Sequence, residues 1–212
     1  MSKKKKKYYV VWEGYNTGVL NTWEECKRSI HGFKGAKYKS FTSLALAQKA
    51  FSENYESYKG RTFFVSDIAK EQLELIGKPI LDSVSVDAAC SRNPGTVEYQ
   101  CIDNLTHTQY FYYGPLYEST NNIGEFLGLV HALAYMKMND DERPIYSDSK
   151  IAIGWVKKRT CKTKLLRNNQ NLKSFELLDR AVKWLKENDF GNEILKWETK
   201  AWGEIPADFG RK

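Results

Sequence analysis

Hydrophobic and polar positions alternate with period two over Ser83 to Ala88, where Val84, Val86 and Ala88 are interleaved with Ser83, Ser85 and Asp87. This is the pattern of a half-buried strand, and it puts Asp87 on the face opposite the valines. Asn93-Pro94-Gly95 ends the run, because proline fixes φ and lacks a donor while glycine tolerates positive φ. Thr96 to Ile102 and Gln109 to Tyr113 read as two further strands joined through Asp103-Asn104, which predicts an antiparallel meander. From Thr120 the period becomes helical. Ile123, Phe126, Leu127, Val130, Leu133 and Ala134 form one stripe, with Glu125 lying off it one turn into the helix. Pro144 to Asp148 reads as a short strand ending in an acid, followed by a helix carrying Ile151, Ile153, Trp155 and Val156. Either Asp148 or Ser149 can cap that helix. Phe175, Leu178, Val182 and Leu185 mark another amphipathic helix, and Glu193 to Thr199 a fifth strand.

Upstream the pattern is smaller in scale. Tyr8 to Trp12 is aromatic and β-branched, Gly14 to Gly18 reads as a turn, and Val19 to Trp23 returns as a hairpin partner. Thr22 and Glu25 have capping-box spacing for a helix through Cys26, Lys27 and Ile30. Ala36 to Phe41 alternates as a third strand. Thr42 or Ser43 can cap a last helix, with Leu44, Ala47, Ala50 and Phe51 directed inward. Residues 8–56 are thus expected to form a small α+β domain with a three-stranded antiparallel sheet. Residues 57–79 read as a linker, with an extended piece at Thr62 to Val65, a helical stretch over Ile68 to Ile76, and Gly77-Lys78-Pro79 as punctuation. Residues 80–212 form the body, and residues 1–7 a basic tail.

Composition narrows the classes. At 42% hydrophobic and 14% aromatic, the 212-residue chain can fill a core and is not of the disordered type. Its net charge of +7 is unevenly spread: residues 1–60 hold 12 Lys/Arg against 5 Asp/Glu, while residues 61–212 hold 21 of each. A polyanion-binding N-terminal module on a neutral body is implied. Cys26, Cys90, Cys101 and Cys161 have no zinc-ligand spacing. They suit a reducing compartment, and with no membrane span in the hydropathy pattern a cytoplasmic protein is expected.

Tyr8-Tyr9-Val10-Val11, Thr17-Gly18-Val19, Thr22-Trp23-Glu24-Glu25-Cys26 and Tyr38-Lys39-Ser40-Phe41 resemble the hybrid-binding (viroplasmin-like) domain found at the N-terminus of many type 1 ribonucleases H. The resemblance implies that Trp23, Tyr38 and Lys39, with Tyr9 nearby, hold the DNA strand of an RNA/DNA hybrid. Cations on phosphates and aromatics on sugars or bases suit that task. Read without the resemblance, Trp23 and Tyr38 are equally well core residues of a small domain. Double-stranded RNA is a second polyanion this module could hold.

In the body, Asp87-x-x-Cys90-x-x-Asn93-Pro94-Gly95, Thr120-Asn121-Asn122-x-x-Glu125 and Tyr146-Ser147-Asp148-Ser149, with Lys196-Trp197 and the late Asp208, resemble the catalytic domain of type 1 ribonuclease H. The fold implied is a ribonuclease H-like α/β fold, a mixed five-stranded sheet flanked by helices. The resemblance makes Asp87, Glu125, Asp148 and Asp208 a four-carboxylate catalytic and metal site for two Mg²⁺ ions, with Mn²⁺ as a substitute. It also places Cys90, Asn93, Thr120 and Asn122 on the backbone and 2′-hydroxyls of the RNA. Clustered acids suit hard cations about 3.5–4 Å apart, which activate water and stabilise a leaving oxygen. Locally, Asn122 and Glu125 also have capping-box-like spacing, and a first-turn Glu suits the helix dipole. The expected activity is cleavage of the RNA strand of hybrids to 5′-phosphate and 3′-hydroxyl ends, and the alternative is a non-catalytic hybrid or double-stranded RNA binder. No protein partner and no membrane are expected. This chain departs from the family pattern in four ways. No histidine lies in the loop before Asp208, where Glu204 is the nearest titratable group; His31, His107 and His131 are elsewhere. The final helix is lacking, which predicts a less rigidly placed Asp208. Ile123 stands where a basic residue is common, and the segment from Trp155 to Phe175 is short for a basic protrusion.

Overall fold

The computed structural model describes residues 6–60, 66 and 68–210. Lys3 to Lys5 of the basic tail and the extended piece expected at Thr62 to Val65 lie outside the described residues. The chain divides into two compact units, Met1–Asp67 and Ile68–Lys212.

In the first unit, β1 (Tyr8–Glu13) lies between β2 (Gly18–Leu20) and β3 (Lys37–Phe41), antiparallel to both. Helix α1 (Trp23–Ile30) starts in the expected capping box: Thr22 accepts from the Glu25 N–H, and the Glu25 carboxylate accepts from the Thr22 N–H at 3.1 Å. Ser43 caps α2 (Leu44–Ser52). Val10, Phe41, Ala47, Ala50 and Tyr58 form the core, and the Trp12 indole donates to the Ala50 carbonyl at 3.0 Å. Leu44 and Phe51, expected inward, are each 42% exposed. The buried stripe of α2 centres on Leu46, Ala47 and Ala50, and leaves Leu44 and Phe51 at its border. Ile30 ends α1, and a 3-10 turn (Tyr55–Ser57) closes the unit.

The second unit begins with α3 (Lys70–Ile76). Its sheet runs in the order β6-β5-β4-β7-β8, with β4 (Val84–Cys90), β5 (Gly95–Asp103) and β6 (Gln109–Ser119) antiparallel and β4, β7 (Ile145–Ser147) and β8 (Ile194–Lys196) parallel. This is the expected mixed five-stranded sheet. Helices α4 (Asn121–Met138), α5 (Lys150–Lys157) and α6 (Leu172–Glu187) complete the main core with Val84, Val86 and Ala88. The opposite face is also covered. Tyr146, Trp197 and Ile205 pack there with Leu195 and Trp202, so Ser85 is fully buried and β4 is not the half-buried strand its alternation predicted.

Three further differences have local causes. β6 continues past Tyr113 to Ser119 through Gly114-Pro115, because Gly114 takes φ +143° at a register shift and buried Leu116 carries the ladder on. Glu125 is not outside the apolar stripe: α4 is buried all round from Ile123 to Val130, and Glu125 is only 8% exposed. The last strand stops at Lys196, where the Trp197 indole donates to the Gly203 carbonyl at 2.9 Å and the chain turns into a short helix, α7 (Thr199–Trp202).

Candidate active site

The register of the central strands brings the first two acids level. Val86 pairs with Ser147 in the parallel β4–β7 ladder, so one residue further on Asp148 lies beside Asp87. Asp148 is free to face the site because Ser149, not Asp148, caps α5, accepting from the Ala152 N–H at 3.2 Å. The third acid comes from α4, which lies on the valine face of β4. Gly124 permits that close approach: a Cβ there would sit 2.4 Å from a Val97 methyl and 2.8 Å from the Ala88 Cβ. Any larger residue would lift the first turn of α4, and Glu125 with it.

Carboxylate oxygens of Asp87, Glu125 and Asp148 lie within 4.8 Å of one another. They open into a cleft of about 550 Å³ that is also lined by Cys90, Ser91, Thr96, Glu98, Asn121, Glu204 and Asp208. Burial, reinforced by the charge of Asp148, pushes Asp87 up to about 8. Burial likewise raises Glu125 to about 7, with the Ser149 hydroxyl opposing and Asp148 adding to the rise. Asp148 is raised by burial as well, while Lys196 draws it back and Glu204 and Asp208 push it further. The Oε1 of Glu125 accepts from the Asn121 amide at 2.8 Å, whereas its buried Oε2 has no hydrogen-bond partner. Hard oxygen donors, mutual repulsion and an orphaned buried oxygen together fit a divalent cation.

Asp208 joins the cleft from an irregular stretch of chain. Ile205 is held in the Tyr146–Trp197 cluster, the Trp202 indole donates to the Gly77 carbonyl at 2.8 Å, and the Gln100 amide donates to the Ala207 carbonyl at 2.7 Å. The looser placement expected for Asp208 is therefore not what the structure has.

The other sequence candidates divide. Cys90 lines the cleft, its thiol bonding to the Arg92 carbonyl, and lies near the N-terminus of α4. Thr120 is the N-cap of α4, accepting from the Ile123 N–H, so Asn122 is not the capping residue its spacing to Glu125 suggested. Asn93 is exposed on the turn, and neither it nor Thr120 and Asn122 lines the acidic cleft itself. Sequence reasoning passed over Asn121, although its i,i+4 spacing to Glu125 was a usable signal.

In the N-terminal unit, Trp23 stands between Tyr9 and Tyr38, with ring centroids 5.6 and 6.1 Å away. Trp23 and Tyr38 are 42% and 41% exposed, which removes the reading of both as core residues. Lys39 pairs with Val10, so it projects from the other face of β3 than Tyr38 and Ser40.

Residues 7–51 match the family model described as Ribonuclease H1 N-terminal domain, and residues 83–196 match the RNase H model. A Ribonuclease H of Schizosaccharomyces pombe is 23% identical over 266 residues, covering 98% of this chain and 97% of the relative. A Ribonuclease H of Saccharomyces cerevisiae is 32% identical over 92 residues, which span 40% of this chain and 26% of that protein. Among solved structures, an RNase H domain from Mycobacterium tuberculosis is 18% identical with a TM-score of 0.34, covering 54% of this chain and 86% of that one. RNase H1 from Halobacterium salinarum is 16% identical with a TM-score of 0.35, covering 56% and 87%. Among the described residues, no helix is long and apolar enough to cross a membrane.

Proposed function

The chain belongs to the RNase H family, and from that premise we propose that it cuts the RNA strand of RNA/DNA hybrids with two divalent cations, Mg²⁺ or in its place Mn²⁺, leaving 5′-phosphate and 3′-hydroxyl ends. The observation that carries this reading is the meeting of Asp87, Glu125 and Asp148, with carboxylate oxygens within 4.8 Å of one another. Asp87, Glu125, Asp148 and Asp208 would hold the cations. When bound, such ions would make an attacking water more acidic and would stabilise the charge on the departing oxygen.

The chain's own residues do the rest. Asn121 fixes one oxygen of Glu125, so the other is presented inward. Cys90, Asn93, Thr120 and Asn122 are assigned to the RNA backbone and its 2′-hydroxyls, the group by which a protein separates RNA from DNA. Tyr9, Trp23, Tyr38 and Lys39 are assigned to hybrid held by residues 8–56, which could also take double-stranded RNA. The link between this module and the catalytic domain lies within residues 57–79, of which Tyr58 packs in the first unit's core and α3 belongs to the second unit. Four free thiols support a reducing, cytoplasmic setting.

The test is cleavage of labelled hybrid, RNA duplex and DNA duplex, with and without Mg²⁺, by the wild type and by Asp148→Asn. Metal-dependent cutting of hybrid alone, abolished in the variant, is expected. Tight hybrid binding without cleavage, or equal cleavage by the variant, would overturn the reading.

A further inference from the structure

We infer that Gln100 is a positioning residue for Asp208, clamping the backbone that carries this acid to the strand register of Asp87. The inference rests on the acidic cleft being the ribonuclease site. Asp208 belongs to neither a helix nor a strand: from Gly203 to Gly210 the chain is irregular, so side-chain contacts must hold it. Gln100 sits directly opposite Asp87 in the β4–β5 ladder, and Tyr112 sits opposite Gln100 in the β5–β6 ladder. Directly paired residues share a face. Asp87, Gln100 and Tyr112 therefore form one lateral row across three strands.

The terminal segment lies along this row. The Gln100 amide donates to the carbonyl of Ala207, which is fully buried, at 2.7 Å. Its oxygen accepts from the Gln109 amide at 2.7 Å, which fixes the orientation so that the donor end faces Ala207. Phe209 leans on Tyr112, with ring centroids 6.3 Å apart. The residue between these two contacts is Asp208, whose charge acts on Asp87 and Asp148. Gln100 carries no charge and is one residue removed from the acid. It sets where the carboxylate sits, and placement errors of about 1 Å are enough to weaken a reacting constellation.

Gln100→Met keeps the length and bulk of the side chain and removes both amide bonds. Hydrogen exchange of the metal-free protein should show the amides of Ala207, Asp208, Phe209 and Gly210 exchanging about tenfold faster, with those of β4 and α4 unchanged. The Mg²⁺ concentration for half-maximal hybrid cleavage should rise about fivefold, the size of one hydrogen bond. In an Asp208→Asn background, Gln100→Met should add nothing further. Gln109→Ala, which only frees the amide to rotate, should shift exchange in the same segment by a smaller factor. Unchanged exchange, or full additivity with Asp208→Asn, would overturn the clamp. Failure of the wild type to cleave hybrid would instead sink the functional reading, while the exchange measurement would still judge Gln100.

Discussion

At one end of the central strands Asp82, Asp103 and Asp141 gather around Arg143, while further along the same sheet Asp87, Glu125 and Asp148 face one another instead. In the first group the guanidinium reaches Asp103 at 2.9 Å and Asp141 at 2.7 Å, and also donates to the Tyr110 hydroxyl. Burial pushes Asp103 up, but bonds from Thr106, Arg143 and Tyr110 outweigh it and hold the carboxyl well below its usual range. Asp141 is lowered by Arg143. In the second group Asn121 bonds Glu125 and Lys196 draws Asp148 back, but burial and mutual repulsion outweigh these and the acids are raised. A protein seeking stability alone would partner its buried acids as it partners Asp103. Three buried acids held raised in this way suit a divalent cation better than a purely structural role.

The most severe way to break this contrast is Asp87→Asn. Hybrid cleavage should fall by about 10³-fold, the several kcal/mol a bound cation contributes, while the metal-free melting temperature stays level or rises as a repelling charge is lost. A large drop in stability would place Asp87 with the structural acids. Arg143→Ala should do the reverse. It strands the Asp103 carboxylate, and loss of about 3 kcal/mol is expected in denaturant unfolding, with cleavage per folded molecule retained. Adding Asp103→Asn should recover part of the loss; if it deepens the loss, the ion pair is not the cause.

The third prediction sets the two groups against each other by pH. Raised carboxyls bind protons more tightly when folded, so stability from Asp87 and Glu125 is present below their unfolded values near 4 and drains away as pH rises towards 8 and 7. Lowered carboxyls do the opposite. The contribution of Asp103 and Asp141 is intact above about pH 4 and is lost as the solution becomes more acid. Metal-free melting temperatures should therefore peak in mildly acid solution, and Mg²⁺ should remove the decline on the alkaline side only. A decline untouched by Mg²⁺ would mean that other groups cause it. The smallest effect lies in the first unit. Trp23→Ala with Lys39→Ala should weaken hybrid binding at low salt about tenfold while cleavage of saturating short substrate stays near wild type. Loss of turnover with binding intact would show that the module acts in cleavage rather than in holding hybrid.

What could be read in advance follows how far each signal reaches along the chain. The Thr22–Glu25 box is a contact over three residues, and it formed as its spacing predicted. The strand alternation around Asp87 gave its facing correctly. It could not reveal that Tyr146 and Trp197, some sixty and more than a hundred residues away, cover Ser85 on the same face. Glu125 was misjudged for the same reason: a helical stripe shows one buried side, but α4 is enclosed on all sides near its start. Of the four α2 residues directed inward, Ala47 and Ala50 are buried, while Leu44 and Phe51 lie at the edge of a narrower stripe. The anchoring of Asp208 depends on Gln100, 108 positions earlier, and no local pattern joins the two.

The parallel pairing of β4 with β7 also orders events during synthesis. β4, β5 and β6 can zip together by short turns, and at that stage the chain holds Asp87 with neither Glu125 nor Asp148 near it. Asp148 arrives only after the whole of α4 has crossed over and β7 has docked. Such long-range closures are slow relative to hairpins. The repulsive centre is thus completed only by a long-range closure, on a meander whose own pairings are local.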